Sequence, residues 1–404
     1  MKLRSAFLSI LVFTFPWISG LAFGISSYTL AERFDLVTSE WPHYQNSFFF
    51  VTRHFLLDDS GKKLSGFVPH DNGDTSTYNV WDISGDFPQK EKTYAFPCFF
   101  PKMVGKDKLL CASDAQSYRV QLSLRDLTTG QILQTTTVEI PYIETGGYPP
   151  YYVYWMNDNK FLVVYGQFLY QGNLVDGETQ SHDLGFVIGM SDGDDRDGDF
   201  PSLGGGSGHP GIIAVNDGVF AYLMRYADQK KKYVETQILT LDLNTPGSKP
   251  ITKTIYPGSS RRYALTVDPR GGFIAAAGDQ FIRISAKGEM SSMGWLGGKD
   301  KFDFHTGMAI QVSKDLKFLI YYTTNYLRLL NLQTGDVEWE NSYYARDALY
   351  QKFPLYPGEI CGGGCYNSAN PSILTTDDLS TIVVIGDSWG YQGDSSAEVK
   401  VFRR

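Results

Sequence analysis

The chain has 404 residues, of which 20% are charged and 15% aromatic, and its formal net charge is −8. This composition, with 41 glycines, is typical of a globular protein rich in turns and aromatic strands, and it excludes a disordered chain. The negative charge argues against nucleic acid and against an anionic membrane as partners, because both demand a basic face.

The chain begins with a predicted targeting segment. Lys2 and Arg4 precede the apolar run AFLSILVFTFPWISGLAFG, and residues 22–24 form a small-x-small cleavage site. We therefore expect residues 1–24 to be a signal peptide that directs the protein to the secretory pathway or the extracellular space. The alternative is a retained anchor, since the run approaches the length of a bilayer span.

From residue 25 onward the pattern predicts strands and no amphipathic helix. One unit recurs: an alternating strand, a turn of Asp, Asn, Ser or Gly, and a more apolar second strand. Weaker copies come first, FFPKMVGKDKLLCAS from Phe99 and YVYWMNDNKFLVVYG from Tyr152. The clear copies are IIAVNDGVFAYL from Ile212, ALTVDPRGGFIAAAG from Ala264, AIQVSKDLKFLIYY from Ala309 and SILTTDDLSTIVVIG from Ser372.

A second motif accompanies these hairpins, an apolar strand that ends in a polar turn and starts an antiparallel return strand. The series is NVWDISGD at Asn79, LSLRDLTTGQ at Leu122, ILTLDLNTPG at Ile238, IRISAKGE at Ile282 and LRLLNLQTGDVEW at Leu327. The complete unit has four strands and the length of a β-propeller blade. We predict an all-β domain over residues 25–404, a single propeller of seven four-stranded blades, with six as the alternative.

The two ends of the chain predict how the ring closes. The last unit stops after AEVKVFRR, in the position of its third strand, so it lacks an outer strand. The stretch SYTLAERFDLV after the leader is available to supply that strand and to remove an exposed edge.

These turns resemble those of the WD40, YVTN and quinoprotein-like propellers, in particular NLQTGDVEWE and RDLTTGQIL. Trp339 lies where a quinoprotein docking tryptophan would lie, but no other blade repeats it. We therefore expect no quinone and no other cofactor.

Four cysteines in an exported chain predict two disulfides, for which three pairings exist. A hairpin around GKD would bring Cys98 opposite Cys111, and three glycines between Cys361 and Cys365 allow a tight ring. Both bridges are interpreted as structural staples rather than redox centres, because neither is a Cys-x-x-Cys motif.

Residues just before each innermost strand are the candidates for a functional site, since these segments converge on one mouth of a propeller channel. As catalytic donors we single out His209, Arg262 and His305. As substrate-binding residues we single out Tyr151, Tyr152, Arg261, Tyr263, Asp303, Tyr366, Asn367 and Asn370.

Each candidate has a simpler interpretation. His305 can cap its strand by bonding to a backbone carbonyl, and the two arginines can both be solvated. Asp303 would share a side with His305, and fix its tautomer, only if the strand already extends there. The glycines before His209 are more typical of a loop than of a phosphate cradle, because no helix follows.

The acidic stretch SDGDDRDGD, residues 191–199, is the one metal-like signal. Its spacing fits no EF-hand register and Arg196 interrupts it, so we predict a solvated loop and no metal site, with calcium binding as the alternative.

Three functions from different classes are considered, and the first two are preferred. The layout of an exported propeller with cysteine pairs and an aromatic channel resembles the hetero-Diels–Alderases of fungal tropolone–sesquiterpenoid pathways. That resemblance implies a cofactor-independent pericyclase of secondary metabolism that acts on a small hydrophobic substrate. We separately expect a monomer or a weak homo-oligomer. The alternative is a secreted propeller that binds glycans or proteins without catalysis. A quinone-dependent or lactone-hydrolysing propeller is the third interpretation.

Overall fold

In the computed structural model of the protein, the described residues form 28 β-strands and no helix. The structure describes residues 28–35, 55–69, 76–85, 89–94, 98–105, 107–112, 119–140, 151–157, 159–165, 167–185, 212–228, 233–257, 263–277, 280–295, 308–323, 326–342, 372–389 and 395–404. Within these ranges no helix is long and apolar enough to cross a membrane.

The first half of the chain supplies strand β1, which belongs to the last sheet, and four sheets of four consecutive strands each. The strands are β1 (Thr29–Asp35), β2 (Phe55–Leu57), β3 (Lys63–Pro69), β4 (Ser76–Asp82), β5 (Gln89–Tyr94), β6 (Phe99–Val104), β7 (Lys108–Ala112), β8 (Arg119–Asp126), β9 (Ile132–Glu139), β10 (Tyr151–Trp155), β11 (Lys160–Tyr165), β12 (Phe168–Asn173), β13 (Thr179–Asp183), β14 (Ile212–Asn216), β15 (Val219–Asp228), β16 (Tyr233–Asp242) and β17 (Ile251–Tyr256).

The second half supplies two further four-stranded sheets and the last three strands. These are β18 (Tyr263–Val267), β19 (Phe273–Ala277), β20 (Gln280–Ile284), β21 (Met290–Trp295), β22 (Met308–Val312), β23 (Phe318–Thr323), β24 (Tyr326–Asn331), β25 (Val337–Ser342), β26 (Ser372–Thr375), β27 (Thr381–Trp389) and β28 (Ser395–Arg403).

The seven sheets form a ring. Six of them are antiparallel meanders of consecutive strands, which we number as blades 1 to 6 from β2–β5 to β22–β25. The first strands of successive blades lie side by side, as β14, β18, β22 and β26 do, and β26 lies beside β2. The fold is therefore a β-propeller of seven four-stranded blades, as predicted, and the six-bladed alternative is wrong.

Strand β1 completes blade 7, whose order is β26, β27, β28 and β1. It pairs antiparallel with β28, from Thr29 opposite Arg403 to Asp35 opposite Glu398. The buried Tyr28 hydroxyl, just before β1, donates to the Leu379 carbonyl at 2.6 Å. The prediction that the N-terminal strand closes the ring is confirmed.

The predicted hairpins are the two innermost strands of blades 2 to 7. The second motif supplies the third strand of blades 1, 2, 4, 5 and 6, followed by its turn to the outermost strand. The repeat can be predicted from sequence because successive side chains of a strand point to opposite faces of the sheet, and each face packs against a different neighbouring blade. In β15, Phe220 and Tyr222 pack with blade 3, whereas Ala221 and Leu223 pack with blade 5.

Trp339 on β25 fills the seam between blades 6 and 7. Its ring centroid lies 5.0 Å from that of Tyr28 and 6.4 Å from that of Phe402. It therefore docks one blade on the next, as the sequence position indicated.

The predicted Cys98–Cys111 disulfide is confirmed. Its two Cα atoms are 4.8 Å apart and both residues are fully buried, in a cluster with Tyr78 of blade 1. The bond therefore ties the start of blade 2 to its second strand at the seam with blade 1. The predicted Cys361–Cys365 bond lies outside the described residues.

Candidate functional site

The antiparallel order of each blade gives the ring two different ends. The connections from an outermost strand to the next innermost strand lie at one end, together with those between second and third strands. We call this end the loop face. The turns from first to second and from third to fourth strands lie at the opposite end, which we call the turn face.

The segments that lead into the innermost strands differ from blade to blade. Residues 258–262 lead into β18, residues 296–307 into β22, residues 186–211 into β14 and residues 343–371 into β26. A single asymmetric site at the loop face fits such segments better than seven equivalent ones.

Three of the predicted substrate-binding residues begin innermost strands. Tyr151 and Tyr152 are the first residues of β10, where they pair with Tyr165 and Val164. Tyr263 is the first residue of β18 and pairs with Ala277. The backbone of these three tyrosines is therefore at the loop face.

The other predicted site residues lie outside the described residues. They precede, in sequence, the strands β14, β18, β22 and β26, which are successive innermost strands of the ring. They are His209, Arg261, Arg262, Asp303, His305, Tyr366, Asn367 and Asn370. Asp303 was expected to share a side with His305 only if strand β22 already extended over both residues. The described strand begins after them, at Met308.

A buried histidine near the loop face was not found by sequence reasoning. His182, one residue before the end of β13, is 8% exposed, and its Nε2 atom has no hydrogen-bond partner. Burial lowers the pKa of this imidazole, which favours the neutral form. It pairs with Leu169, and Gln171, two residues further along β12, has an equally buried Oε1 atom without a partner.

The turn face is built differently, from polar groups that satisfy one another. The Asp126 carboxylate accepts from the Thr129 backbone N–H at 2.7 Å and from the Thr128 N–H at 3.0 Å. The Thr129 N–H is the chief reason that the pKa of Asp126 lies below its usual value. Asn331 accepts from the backbone of Gln333 in the same way. These side chains hold their turns together rather than form a site.

An ion cluster at the turn face of blade 5 is also structural. The buried Asp268 carboxylate accepts from Arg270 Nε at 3.0 Å and from Arg283 Nε at 2.7 Å. Burial opposes ionisation of Asp268, but the hydrogen bonds and charges of the two arginines outweigh it and lower the pKa. Asn216 of blade 4 donates to the Asp268 and Gly272 carbonyls, both at 2.8 Å, so the cluster also joins two blades.

No group of three or more His, Cys, Asp or Glu side chains in the described ranges is arranged to hold a metal ion. The acidic stretch 191–199 lies outside those ranges.

No family model and no curated protein sequence matches the chain. Among solved structures, it is similar to the β-propeller domain of Cps50 (Swd1) from Myceliophteria thermophila, with 11% identity and a TM-score of 0.48 over 88% of this chain and 96% of that one. It is also similar to Hsv2 from Kluyveromyces lactis, with 10% identity and a TM-score of 0.45 over 83% of this chain and 92% of that one. At these identities the similarity concerns the fold alone.

Proposed function

We propose that the protein is a cofactor-independent enzyme that binds a small hydrophobic natural-product intermediate at the loop face and catalyses a hetero-Diels–Alder reaction. The observation that carries this proposal is the asymmetry of the loop face. Seven innermost strands begin at one mouth of the ring, and the segments before them differ in length and in their polar side chains.

In this proposal aromatic residues form the substrate-binding surface. Tyr151, Tyr152, Tyr263 and Tyr366 lie in sequence at or before the first residues of innermost strands, and they supply aromatic area that suits an apolar substrate. Arg261, Asp303, Asn367 and Asn370 add the few polar groups that orient a ligand in such a pocket.

The reaction suits a site built from positioning and hydrogen bonding. An enone supplies a C=C–C=O unit and an alkene supplies a C=C bond; one new C–C bond and one new C–O bond form, and no atom leaves. Holding the two partners in a reactive orientation supplies roughly 7–11 kcal/mol in well-oriented systems. In this proposal Arg262, His305 or His209 donates to the carbonyl oxygen as negative charge develops there.

The leader and the disulfide support a place of action outside the cytoplasm. The predicted signal peptide 1–24 directs the chain to the secretory pathway, and a disulfide such as Cys98–Cys111 persists in an oxidising compartment. We therefore propose a secreted or secretory-pathway enzyme.

The test is turnover of a reactive enone in the presence of a sesquiterpene alkene, followed by chiral chromatography of the cycloadduct. We expect the wild-type protein to accelerate the reaction and to give one stereoisomer. The combined variant Arg262→Ala, His209→Ala and His305→Ala is expected to lose both effects. Lys249→Ala with Lys287→Ala, two exposed cations on the turn face, is the matched control and should behave as wild type.

An unchanged rate and stereochemistry in the triple variant would remove the three residues from the mechanism. A strong, specific signal on a glycan array without any turnover would instead favour the secreted binding propeller.

A further inference from the structure

Every exposed large apolar side chain that the structure describes lies at the turn face. Seven such side chains are 38–64% exposed. Six belong to the first two residues of an outermost strand or to the turn just before it, and the seventh is the last residue of an innermost strand. Since both positions are at the turn end of a blade, the seven share one end of the ring. They are Ile132, Leu133, Val175, Ile251, Val267, Met290 and Val337.

These seven side chains, which we call the apolar arc, follow the turn face around most of the ring. Blades 2 to 6 each contribute at least one of them, from Ile132 in blade 2 to Val337 in blade 6. Single exposed apolar side chains are ordinary on a protein surface. An arc of them at one end of five consecutive blades indicates an interaction surface instead.

The turns that carry the apolar arc are fixed by their own side chains. Val175 donates its backbone N–H to Asn173 Oδ1 at 2.8 Å. Val337 follows a turn in which Asn331 Oδ1 accepts from the Thr334 backbone N–H at 3.1 Å. A partner therefore meets backbone that is already in place, and little conformational freedom is lost when it binds.

The chain enters the ring at this same face. Like every outermost strand, β1 runs from the turn face to the loop face, because Thr29 pairs with Arg403 at the end of β28. The Tyr28 hydroxyl donates to the Leu379 carbonyl, in the turn between β26 and β27, so the start of β1 is held at the turn face. Residues 1–27 therefore join the propeller at the face that carries the apolar arc.

The apolar run before β1 is long enough to cross a bilayer, and it ends close to the turn face. It covers residues 6–24, which are 19 residues, and a membrane span needs about 20. Gly24 is four residues before Tyr28, and four residues of extended chain reach at most about 14 Å. The seven residues of β1 put the loop face about 20 Å further away. If the run is retained, it holds the turn face against the membrane.

We propose that residues 6–24 stay attached as a membrane anchor and that the turn face rests on the bilayer, with the apolar arc against the lipid headgroup layer. The position of the arc selects the retained anchor over the cleaved leader, because a released propeller would leave this surface uncovered. Lys2 and Arg4 place the N-terminus on the cytoplasmic side. The propeller then lies on the opposite side, where the Cys98–Cys111 bond persists.

The lipid that suits this face is zwitterionic, such as phosphatidylcholine. The net charge of −8 gives the chain no attraction to anionic lipids, and these lipids are concentrated in the cytoplasmic leaflet. Exposed charges of both signs, among them Asp176, Lys249 and Lys287, lie at the same face and suit headgroups rather than hydrocarbon. The contact is therefore shallow and interfacial.

Membrane docking is independent of the function proposed above. With the turn face on the lipid, the loop face points into the aqueous compartment and stays open to a substrate. Loss of turnover without loss of membrane contact would remove only the reaction, and loss of contact without loss of turnover would remove only the docking.

The first experiment asks whether the leader stays on the protein. The full chain is expressed in a eukaryotic secretory host, the membranes are washed with alkaline carbonate, and the intact mass of the protein is measured. We expect the protein in the membrane pellet, with a mass that includes residues 6–24. A protein that is released into the medium without residues 6–24 would overturn the proposal.

The second experiment asks which part of the propeller meets the lipid. The full chain carries one fluorophore, on Leu133→Cys or on Thr137→Cys, in vesicles of phosphatidylcholine that contain a headgroup-nitroxide quencher. Thr137 is the matched control, because it is exposed and lies on the same strand as Leu133. Four residues put it about 13 Å further from the turn face, so we expect at least about threefold more quenching at Leu133. Wild type treated identically corrects for label on native cysteines.

Equal quenching at the two positions would overturn the proposal, because the propeller would then hang freely from its anchor. Energy transfer between Leu133 probes that grows with protein density, without nitroxide quenching, would assign the apolar arc to a second copy of the chain and would also overturn it.

Discussion

The loop face and the turn face of this propeller are made by different means. At the turn face, several short turns use an Asp or Asn side chain to accept backbone N–H groups two or three residues ahead, as Asp126 and Asn331 do. At the loop face, the segments before the innermost strands share neither length nor residue pattern. The proposed single pocket fits the second kind of surface better, because a repeated turn offers the same groups in many blades.

The largest effect is expected where a turn-face glycine meets the closing blade. Gly61 has a φ of +67°, and a Cβ atom there would lie 2.6 Å from Thr381 Oγ1 of blade 7. Gly61→Ala combines left-handed backbone strain with overpacking and should lower the free energy of unfolding by about 2–4 kcal/mol. Denaturant titration measures this.

Gly247→Ala separates the cost of left-handed backbone strain from the cost of overpacking. Gly247 also has a positive φ, +73°, but a Cβ atom there meets nothing within 4 Å. Only the backbone strain remains, and the loss should be about 1–2 kcal/mol. Equal losses in the two variants would show that contact between blades 1 and 7 at Gly61 contributes nothing.

Removal of the turn-face carboxylate at Asp268 should have the next largest effect. Asp268→Ala leaves Arg270 and Arg283 without their shared acceptor, but both arginines are partly exposed and can be solvated. We expect a loss of about 2–3 kcal/mol, since hydrogen bonds to a charged group are removed. The same denaturant titration applies, and the proposed turnover per folded molecule should not change. A variant as stable as wild type would contradict the structural role of this cluster.

The turn face could be predicted from sequence better than the loop face. Strand alternation and polar turns are local signals, so the seven blades and the hairpin that joins Cys98 to Cys111 could be predicted. The role of β1 in closing the ring could also be predicted, because the last repeat unit lacked its outermost strand and the strand at residues 29–35 belonged to no other unit. Arg262 and His305 lie in segments whose sequence has no strand or helix period, so no local rule predicts where their side chains lie.

His182 was not singled out from the sequence, for a different physical reason. The strand TQSHD reads as polar and exposed, and only His182 of its five side chains is buried. Its burial depends on the packing of the neighbouring blade, which is a non-local property. One buried position in an otherwise exposed strand is not an alternating pattern, so TQSHD carried no local signal for His182.

The smallest effect is a pH dependence from His182. Its pKa in the folded protein lies below the ordinary value of 6.5, because burial disfavours the charged form. The unfolded chain therefore binds more protons below pH 6.5, and stability falls as the pH drops from 6.5 through the lower folded value. Asp268, whose pKa lies below 3.8, loses its contribution only at more acidic pH.

The measurement is the free energy of unfolding between pH 7.5 and roughly pH 5, for the wild type and for His182→Leu. The wild type should lose stability across this window, and the variant should lose less because the leucine does not titrate. Parallel curves would show that His182 is protonated as easily in the folded protein as in the unfolded chain.

Hydrogen–deuterium exchange with and without a hydrophobic enone tests the central claim most directly, because it compares both faces in one experiment. The account predicts slower exchange on ligand addition in the segments that lead into β10, β14, β18, β22 and β26, with no change in the turns around Asp126, Asp268 and Asn331. Protection confined to the turn face, or no protection anywhere at saturating enone, would contradict a substrate site at the loop face.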